Sequence, residues 1–166
     1  MGHKWIYFIS LLAFFAYVAW MILALHALRA DTLRAGSAAL VLGAGTGVVC
    51  VLGASALLGQ YAIAVAAGSG ALLLLALIWS DLKFESALTY PAAVLCGLLG
   101  VTGVVTARLP WIALPVLACV PLAARMRVPS GWPRLLQALA WVAAGTVVAG
   151  IAVLAVWFLS KNSSPY

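Results

Sequence analysis

The chain of 166 residues is too apolar and too poor in charge to form a soluble globular domain. Hydrophobic residues make up 67% of it and charged residues 7%, with a mean hydropathy of +1.20, whereas soluble domains carry about 25% charged residues. The net charge of +6 would suggest nucleic-acid binding in a soluble protein, but the nine Lys and Arg residues stand in short gaps between apolar runs. We therefore interpret them as determinants of membrane topology and predict no nucleic-acid partner.

Long, unbroken apolar runs predict an all-α, polytopic membrane helical bundle that makes up one domain, 1–166. Backbone polar groups in hydrocarbon must bond within their own segment, and runs of this length favour helices over a β-barrel. Positions 35–80 carry no charge and are about twice as long as one crossing requires, so we place a break near Gly59, Gln60 and Tyr61. The six predicted helices are 5–28, 36–58, 61–80, 88–107, 110–124 and 135–160.

The fifth of these helices is short and rich in proline. Pro110, Pro115 and Pro121 fall within it, and each removes a backbone donor and clashes with the preceding turn. We therefore predict that this segment is kinked or does not cross the membrane fully.

Small side chains inside the apolar runs are predicted to serve packing. The glycines at 43, 45 and 47 follow no strand and precede no Lys, so close helix packing is favoured over a phosphate-binding loop. The cysteines, Cys50, Cys96 and Cys119, form no Cys-x-x-Cys pair. We interpret them as small buried hydrophobes and predict no metal site.

The distribution of Lys and Arg predicts the orientation in the membrane. Positive charge is enriched in cytoplasmic loops, so the more basic side of the bundle is predicted to face the cytoplasm, with both termini outside. The predicted location is the inner membrane of a bacterial cell, and the lipid bilayer is a predicted partner. One side carries Arg29, Arg34, Lys83, Arg125, Arg127 and Arg134, and the other carries Lys4, Arg108 and Lys161.

Any carboxylate chemistry in this chain depends on Asp31, Asp81 and Glu85, because these are its three acidic residues. Asp81 and Glu85 stand four positions apart in the polar stretch between the third and fourth predicted helices. Asp31 stands in another gap on the same predicted side. No cofactor is predicted, although His26 near the end of the first helix leaves a haem or quinone protein as a third alternative.

Two gaps in the sequence resemble the active-site regions of the bacterial type IV prepilin peptidases. The first runs from Ala76 to Gly100; here Asp81 matches the first catalytic Asp, and Leu-Thr-Tyr-Pro at 88–91 matches the Leu-Thr-x-Pro start of the following helix. The family's Pro-Asn or Pro-Asp element is missing, so the connection is shorter. The second gap reads Ser-Gly-Trp-Pro-Arg-Leu-Leu-Gln-Ala-Leu-Ala at 130–140, where Trp132 stands in place of the second catalytic Asp.

The resemblance implies an aspartic-type endopeptidase fold whose catalytic pair is incomplete. Such an enzyme needs two carboxylates that share a proton, so Asp81 would require Asp31 or Glu85 as its partner. We therefore expect a divergent, inactive relative of the peptidases that holds prepilin-like signal helices or supports pilus or secretion assembly. The alternative is a small non-enzymatic membrane subunit or transporter-like protein that packs against partner helices.

Overall fold

The computed structural model of the chain is an all-α bundle and describes residues 2–79, 85–107, 109–129 and 131–162. Those residues form helices and connections and contain no strand. Five of the helices are long and apolar enough to cross a membrane. The predicted all-α class is confirmed. In chain order the described helices are α1 (Gly2–His26), α2 (Thr32–Gly53), α3 (Ala56–Ile78), α4 (Glu85–Ala107), α5 (Ala113–Ala118), α6 (Val120–Ala123) and α7 (Arg134–Asn162).

The predicted break between the second and third helices is wrong in position. The chain turns at Ala54 and Ser55, where the Ser55 hydroxyl accepts a hydrogen bond from Leu57 N and caps α3. Serine is a favoured N-cap because its oxygen satisfies an amide at the start of the helix. Gly59 lies inside α3 instead, where its missing side chain lets the backbone approach the Gly47 carbonyl of α2.

Helix α2 is the centre of the bundle and contacts α3, α4 and α7. A Cβ added at Gly43 would lie 2.8 Å from Ala66 N of α3, and one at Gly45 would lie 2.9 Å from Ala149 Cβ of α7. The glycines therefore bring α2 against both neighbours, because a side chain at either position would meet the facing helix. The predicted packing role of these glycines is confirmed.

The proline-rich segment crosses the bundle as a broken helix. Leu109 packs near Gly53 and Val156 at one end, and the Met126 carbonyl reaches Trp141 at the other. Helices α5 and α6 are interrupted at Cys119, because Pro121 offers no amide to the Leu117 carbonyl. The predicted kink is confirmed, and the segment nevertheless extends from one end of the bundle to the other.

Two of the three cysteines are buried as predicted. Cys50 and Cys96 are both fully buried. Cys96 belongs to the main apolar core, and Cys50 on α2 faces Gly103 of α4. Cys119 is exposed, which corrects the prediction for that residue. Its thiol donates to the Pro115 carbonyl one turn earlier, at 3.3 Å.

Candidate functional site

The candidate site lies at the end of the bundle where α1 and α3 end and α2, α4 and α7 begin. We call this the basic end. The connections at this end carry the described arginines that were predicted to lie on the more basic side of the bundle. The opposite end carries Lys161 in the last turn of α7. The arginines that define the basic end are Arg29, Arg34, Arg125, Arg127 and Arg134.

The start of α2 organises Asp31, which is the one acidic side chain that the structure describes. Its Oδ1 accepts hydrogen bonds from Leu33 N at 3.2 Å and Arg34 N at 3.3 Å, which makes Asp31 the N-cap of α2. Its Oδ2 lies 3.0 Å from Arg34 Nε. Both carboxylate oxygens therefore have partners in the helix that follows.

The Arg34 guanidinium stacks on Trp141 of α7. Its central carbon lies 4.8 Å from the indole centroid, a geometry in which a cation is attracted to the face of the ring. Trp141 is 2% exposed, and its Nε1 donates to the Met126 carbonyl at 3.1 Å. The ring thus joins α2, α7 and the connection after α6. It also belongs to a small apolar cluster with Leu33, Leu73 and Ala76.

A second polar contact at this end joins α1 to α4. The Tyr90 hydroxyl and His26 Nδ1 are 2.8 Å apart, and the two ring centroids are 5.5 Å apart. Tyr90 belongs to the Leu-Thr-Tyr-Pro start of α4, so this motif contacts the end of the first helix. Within the described residues no three His, Cys, Asp or Glu side chains gather as a metal site.

The remaining predicted site residues are only partly placed. Asp81 lies in 80–84, outside the described residues. Glu85 begins α4, and its side chain is also outside them. Trp132 is 47% exposed, and its carbonyl accepts a hydrogen bond from Gln137 Nε2 at 2.8 Å. The structure therefore assigns Asp31 to helix capping and Trp132 to an exposed position before α7.

A groove of about 190 Å³ lies between α3 and α4. Gly68 and Leu72 line one wall, and Leu88, Pro91 and Leu95 line the other. A Cβ added at Gly68 would meet nothing within 4 Å, so the groove is open there. Pro91 has no amide to offer the Ala87 carbonyl one turn earlier. One wall of the groove is therefore the start of α4, which carries the Leu-Thr-Tyr-Pro element.

The contacts that join the helices at this end are not apparent from the sequence. There Arg34 contributes only its charge to the predicted topology, and Trp141 is one of many apolar residues in the last helix. Asp31 three positions before Arg34 and directly before α2 is an N-cap pattern, which could have indicated its role. No local pattern indicates that Trp141 and Met126 meet, because they belong to separate elements.

The chain is thus an α-helical bundle whose five long, apolar helices are suited to contact with a lipid bilayer. Comparison with protein families, curated proteins and solved structures finds no match for it.

Replacing Asp31 by alanine should lower the free energy of unfolding by about 1 kcal/mol, because the N-cap of α2 is lost. The ion pair with Arg34 should add at most about 1 kcal/mol, since exposed pairs contribute little. Asp31→Asn is the control, because asparagine caps a helix well but carries no charge. Thermal unfolding in detergent should rank wild type, Asp31→Asn and Asp31→Ala in that order. An Asn variant as unstable as the Ala variant would assign the effect to the ion pair instead.

Proposed function

We propose that this chain is a non-cleaving, peptidase-like membrane protein that holds the signal helix of a prepilin-like partner. The observation that supports the proposal is that Asp31 caps the start of α2. An aspartic peptidase needs two free carboxylates at one water, whereas both oxygens of Asp31 bind the first turn of α2. The resemblance places Trp132 where the second acid of the peptidases stands, so Asp81 has no aspartate partner from that position.

The groove between α3 and α4 is the proposed contact for the helix. A guest helix lying across it would insert small or medium side chains beside Gly68 and Pro91. The Ala87 carbonyl, to which Pro91 offers no amide, would accept a hydrogen bond from a polar group of the guest. An acceptor left unsatisfied in hydrocarbon is costly. The first turns of α4 line the groove, and in the sequence they follow directly on the Asp81 stretch, where the resemblance expects a leader sequence to lie.

We also propose that the basic end of the bundle faces the cytoplasm. The excess of arginine at the basic end favours a cytoplasmic location in a bacterial inner membrane, because basic loops resist translocation. A prepilin-like leader would reach the groove from that side. Labelling of cysteines introduced at exposed Arg29 and at Lys161 with a membrane-impermeant thiol reagent tests this, in a background with Cys119→Ser. If intact cells were labelled at position 29 but not at position 161, the orientation would be the opposite of the one proposed.

The experiment is co-expression with a tagged prepilin in a bacterium that lacks its own prepilin peptidase. We expect the uncleaved prepilin to co-purify with the wild type and to be reduced at least about tenfold by Gly68→Leu, because leucine would fill the groove. Gly150→Leu is the matched control. Gly150 is a second open glycine, on α7, and its added Cβ also meets nothing within 4 Å.

Three outcomes would contradict the proposal. Prepilin cleavage that is lost in Asp81→Ala would establish an active peptidase. Failure of the wild type to retain the prepilin would remove the proposed partner. A stoichiometric membrane partner without any pilin component would favour the alternative, a non-enzymatic subunit.

A further inference from the structure

A second groove lies between α2 and α7, on another face of the bundle. It encloses about 300 Å³, and apolar side chains line it, among them Leu40 and Val48 of α2 and Val142 and Val153 of α7. Leu40 and Val48 are about 12 Å apart along a helix axis, and Val142 and Val153 are about 16 Å apart. One leaflet of a bilayer contributes about 15 Å of hydrocarbon. The groove therefore matches the depth of one leaflet.

On α2 the groove begins at Leu40, which is about 9 Å along the helix axis from the stacked Arg34. Leu40 and Val142 line its upper part and also pack against the cluster that contains Trp141. Trp141 carries the Arg34 guanidinium on its face. Because the pair with Asp31 uses Nε, the two terminal nitrogens of Arg34 can bind a further acceptor. A positive, planar donor thus stands at the mouth of an apolar groove.

We propose that this groove binds an anionic glycerophospholipid. The phosphate binds Arg34 through two parallel N–H donors, the geometry in which guanidinium recognises phosphate, and one acyl chain lies in the groove. Charge complementarity favours this occupant over a neutral lipid, since exposed Arg29, Arg125 and Arg127 lie at the same end. Among the described acidic side chains only Asp31 opposes them, and it is already paired. Thr146 and Gly150 widen the lower part of the groove for the chain.

Native mass spectrometry of the delipidated protein in detergent tests the proposal by titration with phosphatidylglycerol or phosphatidylcholine. We expect the wild type to prefer phosphatidylglycerol, and Arg34→Gln to weaken its binding about fivefold, which corresponds to about 1 kcal/mol. Arg29→Gln is the matched control, because it removes the same charge from the same end without touching Trp141. Gly150→Leu should weaken both lipids, because leucine would occupy the path of the acyl chain.

Equal affinity of the wild type for the two lipids would overturn the proposal. So would an equal loss in Arg34→Gln and Arg29→Gln, which would mean diffuse attraction without a site. Circular dichroism and size-exclusion chromatography report whether Arg34→Gln still folds. If that variant does not fold, lipid binding by Gly150→Leu tests whether the groove holds the acyl chain. Gly150→Leu with unchanged lipid binding, or a co-purified transmembrane helix that Gly150→Leu releases, would assign the groove to another occupant. Gly68→Leu should leave lipid binding intact, so this proposal and the proposed prepilin contact fail separately.

Discussion

Replacing Trp141 by alanine should lower the free energy of unfolding by about 3 to 5 kcal/mol, the range for truncating a buried tryptophan. The side chain is 2% exposed and packs with Leu33, Leu73 and Ala76. Its removal leaves a cavity where α2, α3 and α7 meet. The Met126 carbonyl would also lose its donor, and Arg34 would lose the ring on which it stacks. Thermal or denaturant unfolding in detergent, followed by near-ultraviolet circular dichroism, measures the loss.

Two further variants identify the origin of this effect. Trp132→Ala removes a 47% exposed ring nine positions earlier in the chain and should change stability by less than about 0.5 kcal/mol. Trp141→Phe keeps an aromatic ring but cannot donate to the carbonyl of exposed Met126, so it should cost about 0.5 to 1.5 kcal/mol for the lost hydrogen bond. Equal losses in Trp141→Ala and Trp132→Ala would show that Trp141 is not the anchor we describe.

Replacing Gly43 by alanine should destabilise the bundle by about 1 to 3 kcal/mol, the usual cost of overpacking. The added Cβ would lie 2.8 Å from Ala66 N, 3.0 Å from Ala66 Cα and 3.1 Å from Ala62 O. All three are backbone atoms, so no side chain can rotate away and α3 itself must move. The effect should appear as a lower midpoint of thermal unfolding.

Gly68→Ala provides the control for Gly43→Ala, since both glycines lie inside long helices. Alanine favours a helix over glycine by about 0.5 to 1 kcal/mol at either position, so the difference between the two variants isolates the packing term. Gly68 faces open space, and its alanine variant should be as stable as the wild type or more stable. A stable Gly43→Ala variant would mean that α2 and α3 can separate at no cost.

Some features of the architecture depend only on the local sequence, and others depend on the neighbouring helix. The approximate bounds of the five long helices follow from apolar length, because a helix that crosses hydrocarbon must satisfy its backbone hydrogen bonds within itself. The predicted boundary between α2 and α3 differs from the observed one because Gly59 does not break the helix. Its role is close approach to Gly47, and the real boundary is capped by Ser55. A glycine in an apolar run has either role, and the neighbouring helix decides which.

For the candidate site, the sequence alone indicated which carboxylates exist and that the arginines gather on one side. The proposed relationship to the peptidases rests on Asp81 and the Leu-Thr-Tyr-Pro element of the sequence. The contacts of Asp31 with Leu33 and Arg34 span three residues, and a capping argument could have supplied them.

Only the tertiary structure could place Arg34 on Trp141, since the two residues are more than a hundred positions apart and neither helix encodes the register of the other. The same holds for the two grooves, which depend on where α3 diverges from α4 and α7 from α2. In a membrane all exposed faces are apolar, so hydrophobic pattern cannot distinguish the face that meets lipid from the face that meets another helix. The lengths of the apolar runs in the sequence therefore determined the long helices. Side-chain packing between helices determined the two grooves and the stacking of Arg34 on Trp141.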